Sequence, residues 1–416
     1  MRSNAVGPSL AVLFFVNVIN YYDRQALGAV AEPLRREFGL SDAQLGGLST
    51  VFIVLYAVAG LPLGRLADTW SRRKLLAIGV SVWAGLTALG AAAGSYALLA
   101  ATRLGVGIGE AVCAPAANSW IGGMVPVWQR ARAMAGFMMA VPVGVMLSSA
   151  VTGPVAQAWG WRVALALAAA PAMLLVPALL WLKEPERSLE NPGGTGPAPL
   201  GLLRIPALWW IAVSGAIVNF ALYSFSSFLP AFLMRYHGLP VGQAGLWTGI
   251  GSGVAGVLGA LLAGLWGDRV MGGGSNGRLL LAAGAALLAA PLAFLGIRLP
   301  AGCPAASLAL IIPAYGLLQM YYGLVYAALN DIVEPGLRGT AMAGYLLVTY
   351  LGGAAFGPLL TGMLSDHLAR RAAGVMALTE AARAAGLHQA MYVVPVMAAA
   401  LAAVLWAGAR AARATG

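Results

Sequence analysis

Charge is scarce in this 416-residue chain: 9% of its residues are Asp, Glu, Lys or Arg, and only 14 are acidic. Soluble domains carry about 25% charged residues, while disordered segments and coiled coils carry dense charge, so the scarcity excludes all three. Cysteine is nearly absent. Cys113 and Cys303 both lie in or beside apolar segments, which predicts free buried thiols, no disulfide framework and no metal site. The three histidines, His237, His367 and His388, sit singly near loops without metal-ligand spacing. No HExxH, GxSxG or P-loop sequence occurs, so catalysis has no foothold and no cofactor is expected. Gly251-Ser-Gly-Val-Ala-Gly256 spells a dinucleotide pattern. It falls within an apolar run with no strand before it, and close helix packing explains it.

What is present is apolar: 60% of residues are hydrophobic, 55 are glycine, and the mean hydropathy is +0.81. A bilayer-spanning helix takes about 20 apolar residues, so twelve spans fit this length with short connections. The runs fall near 8–30, 44–66, 74–94, 96–122, 132–156 and 161–182, then near 206–233, 243–267, 279–297, 305–328, 339–363 and 389–409. Between the two sets lie Lys183-Glu-Pro-Glu-Arg187 and Asn191-Pro-Gly-Gly-Thr-Gly-Pro-Ala-Pro199, too polar and too rich in Pro and Gly for a helix in the bilayer. The expected architecture is an all-α integral membrane bundle. It has an N-terminal six-helix half over 1–182, a cytoplasmic linker over 183–205 and a C-terminal six-helix half over 206–416. The first run carries Asn17, Asn20, Asp23 and Arg24 and no small-residue cleavage site, so it reads as a retained span.

Two sequence echoes suggest that the halves are duplicates. Gly64-Arg-Leu-Ala-Asp68 after the second span recurs 200 residues later as Gly264-Leu-Trp-Gly-Asp268 after the eighth. Ala133-Met-Ala-Gly-Phe137 recurs 208 residues later as Ala341-Met-Ala-Gly-Tyr345, and Gly144 and Gly352 share that offset. Orientation follows from the 25 basic residues. Arg24 and Arg103 fall inside spans; Arg35, Arg36, Arg162, Arg235, Arg298, Arg370, Arg371 and Arg383 lie on one side, and the other fifteen lie on the side of the termini. The positive-inside rule then puts both termini in the cytoplasm of a cell inner membrane. The basic residues are scattered between apolar runs, so the net charge of +11 marks orientation and not nucleic-acid binding.

Two acidic residues sit within spans. Asp23 lies in the first, within Asn20-Tyr-Tyr-Asp23-Arg24, and Glu110 in the fourth, within Arg103-Leu-Gly-Val-Gly-Ile-Gly-Glu110. Ionisable groups in a bilayer cost several kcal/mol, so they face the bundle interior and are functional candidates. Arg103 and Glu110, seven residues apart, share one helix face about 10 Å apart along the axis. Asp23 on the neighbouring helix is placed to bridge toward Arg103. A buried carboxylate beside a competing Arg is a natural proton switch. In the tenth span Tyr315, Gln319, Tyr322, Tyr326 and Asn330 repeat at helical spacing as one polar, aromatic stripe, and Asn219, Tyr223 and Ser226 make a shorter one in the seventh. These stripes, with Asn20 and Arg24, are the expected substrate contacts. Met134, Met138 and Met139 read as packing.

Gly64-Arg-Leu-Ala-Asp68-Thr-Trp-Ser-Arg72-Arg73-Lys74 resembles the loop between the second and third helices of the major facilitator superfamily. In that setting Gly64 would let two helix ends approach, and Asp68 would pair with Arg or meet a helix N-terminus. Gating is therefore expected at Gly64, Asp68, Arg72, Arg73 and the echo Asp268. Asn20 to Arg24 and Arg103 to Glu110, with Cys113-Ala-Pro115, Ala140-Val-Pro142-Val-Gly144 and Trp159-Gly-Trp-Arg162, are similar to spinster-type transporters of that superfamily. Its organic-anion symporters also resemble the first two segments. The resemblance implies a non-enzymatic secondary transporter with proton coupling at the positions of Asp23 and Glu110, to which the charge argument adds Arg103; a monomer in the bilayer is expected. Its expected substrate is a lysophospholipid-like or other amphiphilic anion, or in the alternative a small organic anion or sugar acid.

Overall fold

The computed structural model describes residues 6–184, 205–269, 274–333, 337–374 and 376–413. Among them every regular element is helical. In chain order these are α1 (Val6–Ala29), α2 (Ala31–Phe38), α3 (Asp42–Thr69), α4 (Arg72–Ala91), α5 (Tyr96–Glu110), α6 (Cys113–Met124), α7 (Val127–Met138) and α8 (Ala140–Trp181). There follow α9 (Pro206–Arg235), α10 (Val241–Arg269), α11 (Gly274–Arg298), α12 (Pro304–Ile332), α13 (Arg338–Thr349), a π-helical turn (Tyr350–Ala354), α14 (Phe356–Ala373), α15 (Glu380–Ala390) and α16 (Val393–Arg413).

Local chemistry sets many of these ends. Ser71 and Ser95 accept the Lys74 and Leu98 N–H and so cap α4 and α5, while Pro206 and Pro304 open α9 and α12 without forfeiting a bonded N–H. Gly160, at φ 84° and ψ 161°, breaks α8 in a conformation that favours glycine.

Among the described residues, ten helical stretches are long and apolar enough to cross a bilayer. The difference from twelve runs has two sources. The stretch Arg132–Trp181 covers the expected fifth and sixth spans as one helical run kinked at Gly160, and α1, diluted by Asn17, Asn20, Asp23 and Arg24, is not among the ten. Large apolar side chains lie on the outside of these helices, Leu174, Leu287 and Trp181 among them, as expected for a multi-pass protein whose exterior meets acyl chains. One thiol departs from expectation. Cys113 is buried, but Cys303, at the polar start of α12, is exposed.

The chain forms two compact units, one of Met1–Leu40, Val51–Thr195 and Pro240–Ile250, the other of Ser41–Thr50, Gly196–Leu239 and Gly251–Gly416. They follow the two sequence halves, except that the starts of α3 and α10 are exchanged. The first unit packs Leu13, Leu76, Trp83 and Trp120 at its core; the second packs Phe228, Phe232 and Tyr321. In the second, α10 and α12 come together at Ala255 and Gly316, where a side chain on Gly316 would meet the Ala255 carbonyl at 3.0 Å. The glycine-rich Gly251–Gly256 run is thus packing surface. Met138 and Met139, expected as packing, are exposed on either side of the α7–α8 break.

Candidate functional site

In the first unit four charged side chains from α1 and α5 meet in the interior. Arg103 Nη1 lies 3.7 Å from Asp23 Oδ2, with both side chains buried. Thr87, from α4, donates its hydroxyl to the same oxygen at 2.8 Å and accepts Arg103 Nη2 at 3.4 Å, so it links the two charges. Arg24 donates Nε to Glu110 Oε2 at 2.8 Å. The Arg24 guanidinium lies against aromatic faces, 4.1 Å from the Tyr56 ring centroid and 4.8 Å from that of Tyr21.

This pairing differs from the expected one, in which Asp23 and Glu110 share Arg103. Two helical turns separate Arg103 from Glu110 along α5, too far for one guanidinium to serve both levels, and Arg24, next to Asp23 on α1, reaches the Glu110 level instead. Arg24, expected among the substrate contacts, is therefore bound to a carboxylate. Asn20 is buried beside this cluster with Nδ2 lacking an acceptor among the described residues, as does the donor Arg103 Nε. Buried donors without protein partners are unusual and suit a site that water or substrate completes.

In the second unit the two polar stripes meet. Tyr322 donates its hydroxyl to Asn219 Oδ1 at 3.0 Å, and Asn219 donates Nδ2 to the Gly215 carbonyl. Tyr315 accepts Gln319 Nε2 at 2.9 Å and stacks on Phe225. Tyr326 sets its ring edge-on to Tyr322 and Tyr345, and Tyr345 donates to the Tyr321 hydroxyl. Asn219 and Tyr315 are buried in interhelical contacts, whereas Tyr223, Gln319, Tyr322, Tyr326 and Asn330 keep part of their surface open.

The expected gate residues fall differently. A side chain on Gly64 would meet Pro115 Cβ at 3.9 Å, an ordinary van der Waals contact, so this arrangement does not itself require glycine there. The side chains of Asp68 and Asp268 lie outside the described residues. Arg72 and Arg73 open α4, and their N–H groups donate to Glu184 at 2.9 and 3.4 Å, with the Ser71 hydroxyl at 2.6 Å. Arg73 Nη1 returns to the Leu180 and Leu182 carbonyls at the end of α8. Glu184 and Arg73 thus cap each other's helices within the first unit. Partial burial alone would raise the Glu184 carboxyl, but the hydrogen bonds from Ser71, Arg72 and Arg73 outweigh it and hold it below its ordinary value.

Sequence reasoning missed Thr87, Tyr56 and Glu184. A lone hydroxyl or ring in an apolar run carries no signal of its own, and Glu184 looked like linker.

The sequence model of the Major Facilitator Superfamily matches residues 13–356. The chain belongs to that superfamily. It is 31% identical over 365 residues to an MFS-type efflux pump of Mycolicibacterium smegmatis, covering 86% of this chain and 84% of that protein. It is 29% identical over 392 residues to human protein spinster homolog 1, covering 87% of this chain and 73% of the relative. Among solved structures, it resembles a bacterial homolog of the human lysosomal transporter Spinster in an inward-facing, unoccupied conformation, with TM-score 0.87, 26% identity and coverage of 99% and 98%. A D-xylose-proton symporter at 17% identity shares the fold, with TM-score 0.79 and coverage of 97% of each chain.

Proposed function

We propose that this superfamily member is a proton-coupled secondary transporter of an amphiphilic, lysophospholipid-like anion. In this reading it works by alternating access between two six-helix halves, as a monomer with both termini in the cytoplasm. The observation that carries the reading is the pair of ion pairs, Arg103 with Asp23 and Arg24 with Glu110, buried where unneeded charge rarely stabilises. While the pairs hold, neither guanidinium offers its charge to a substrate. A proton on Glu110 neutralises the partner of Arg24, and an anionic head can then take its place; a proton on Asp23 releases Arg103 in the same way. Charge in the interior stays balanced only when proton and anion arrive together, and that requirement is the coupling.

The likeness to spinster proteins supports an amphiphile, as does the second unit, whose Gln319, Tyr322 and Tyr326 offer hydrogen bonds and aromatic faces without a charge. Burial and pairing of both arginines weigh against a small anion held by a standing positive charge. Gating is assigned to Gly64, Asp68, Arg72, Arg73 and Asp268, with the start of α4 held through its backbone N–H groups by Glu184. Vesicles containing purified protein, offered labelled lysophospholipid and labelled sugar acid across an imposed pH gradient, test the substrate class. Accumulation of the first alone is expected, and accumulation of the second alone would replace the lipid reading with the anion reading.

A further inference from the structure

Two helical runs are interrupted at corresponding places of the two sequence halves. In the first unit the break falls between α7, which ends at Met138, and α8, which starts at Ala140. In the second unit the π-helical turn parts α13 from α14, and the Ala355 N–H reaches back five residues to the Tyr350 carbonyl, at 2.9 Å. The 208-residue offset carries Phe137 onto Tyr345 and Met138-Met139 onto Leu346-Leu347, so the interruptions lie within a turn of each other. Breaks and π-helical turns are where long helices bend, and π-helical turns recur at functional sites.

At and beyond each interruption the helix is seated firmly. Gly144 of α8 lies against the Val18 carbonyl of α1, and Gly353 and Gly357 lie against the Ala216 and Phe220 carbonyls of α9, places where a side chain would collide. Farther along, Gln157 of α8 accepts the Gly242 N–H at 2.7 Å, and Asp366 of α14 accepts the N–H groups of Asp42 and Ala43 at the start of α3, at 2.9 and 2.8 Å. Before each interruption the packing is looser. Gly136 and Gly344, again 208 apart, are exposed, and a side chain on either would meet nothing within 4 Å among the described residues. Where α13 meets α9, at Gly215, it does so through the side chains of Tyr345 and Thr349 and not backbone to backbone.

One hydrogen bond ties each looser segment to the polar site of its own unit. Asn17, on α1 with Asn20 and Asp23, donates Nδ2 to the Phe137 carbonyl at 3.2 Å, one of the acceptors that a helix end leaves without an intrahelical partner. At the matching position Tyr345 donates to the Tyr321 hydroxyl at 3.1 Å, and that hydroxyl lies 2.8 Å from Ser214 Oγ. Tyr345 thereby closes a ring of four tyrosines. Tyr321 meets Tyr322 edge-on with centroids 5.6 Å apart, Tyr322 meets Tyr326 at 5.7 Å, and Tyr326 meets Tyr345 at 5.6 Å. Tyr321 and Tyr345 are buried, whereas Tyr322 and Tyr326 are partly open, so a group that displaces the open pair also displaces Tyr345 and with it α13.

We propose that α7 and α13 are arms that pivot at Met139 and at the π-helical turn, and that Asn17 and Tyr345 are positioning residues that set each arm by the state of the polar site in its own unit. In the second unit, occupancy at Tyr322 and Tyr326 reaches α13 through Tyr321 and Tyr345. In the first, a change along α1 around Asp23 reaches α7 through Asn17. The seated helices α8 and α14 stay in place meanwhile. This inference rests on the transport reading only for what occupies the site; the pivots and the ties are open to test without a ligand.

Distances between paired spin labels, in full-length Cys303→Ser protein in lipid nanodiscs with no ligand added, make that test. Labels at Val213→Cys and Ala343→Cys report the α13 arm, and labels at Ser227→Cys and Met363→Cys report the seated α14. Ala11→Cys with Arg132→Cys, and Phe15→Cys with Leu147→Cys, do the same for α7 and α8. Each arm pair should show two distance populations and each seated pair one. Tyr345→Phe, which keeps the ring and removes the tie, should change the ratio of the two α13 populations about fivefold. Tyr321→Phe should do the same, and Tyr321→Phe/Tyr345→Phe no more than either alone, because all three remove one bond. Asn17→Ala should change the α7 ratio and leave α13 as it was. A single population in the arm pairs, equal changes in the seated pairs, additive effects in the double variant, or unchanged ratios in Tyr345→Phe and Asn17→Ala would each overturn the proposal. Failure of lysophospholipid to accumulate in vesicles would change the substrate and none of these outcomes.

Discussion

Arg24 and Glu110, 86 residues apart in the chain, face each other at 2.8 Å inside the first unit. Replacing Arg24 with Ala leaves a buried carboxylate unpaired, which costs about 3–5 kcal/mol. The single variant is expected to unfold at much lower temperature than the parent. Arg24→Ala/Glu110→Gln should recover most of that loss, because the double change removes both charges. Thermal unfolding of the purified proteins measures this. Equal instability of the single and double variants would show that the pair contributes little.

Glu110→Gln alone mimics the protonated acid. Arg24 is then permanently available, so substrate affinity at alkaline pH should rise by about tenfold, a coupling of ~1.4 kcal/mol, and lose its pH dependence. Calorimetric titration across pH is the check, and an unchanged pH profile would remove Glu110 from the coupling scheme.

Thr87 is predicted to position Asp23. Its hydroxyl donates to the Asp23 carboxylate, and a hydrogen bond to a charged group contributes about 1.5–3 kcal/mol. Thr87→Val should therefore lower gradient-driven accumulation by about tenfold, while Thr87→Ser restores it. Full accumulation by Thr87→Val would mark Thr87 as packing alone.

Glu184 should matter on another axis. Its carboxyl is held below the ordinary value by the α4 N-terminus, so its contribution to stability is present at neutral pH and is lost as pH falls through that lowered value. Glu184→Gln is expected to cost about 1 kcal/mol at neutral pH, and the gap to wild type should close below the ordinary carboxylate range. Unfolding curves at several pH values decide it, and a gap that does not vary with pH would contradict the charge-based cap.

Cysteine scanning separates substrate-facing from packed positions on α12. Gln319→Cys and Tyr326→Cys, at partly open positions, should react with an impermeant thiol reagent and be protected by substrate. Tyr315→Cys, at a buried position stacked on Phe225, should stay inert. Inertness at all three would return the stripe to helix packing.

Much of this was legible from the residues. Apolar run lengths give the helices, and the rarity of charge in such runs singles out Asp23, Arg103 and Glu110. Their partners were not legible, because which guanidinium meets which carboxylate depends on the rotation and depth of α1 against α5, and spacing within one helix does not encode that. Thr87 looked like any helical hydroxyl. Asp42 and Asp366 sit at the ends of apolar runs and read as loop acids; only the packing of α3 against α14 buries them. Arg73, at a helix start, could be read equally as orientation anchor, gate or cap, and the position of Glu184 is what distinguishes them.

The central claim is that Asp23 and Glu110 exchange protons for arginine pairs during transport. Proteoliposomes with an imposed pH gradient test it most directly, with accumulation of labelled substrate measured for wild type and for Asp23→Asn. The account predicts that Asp23→Asn abolishes gradient-driven accumulation while exchange of substrate across the membrane continues, because the neutral side chain stands for the permanently protonated state. Accumulation by Asp23→Asn at the wild-type level would contradict it.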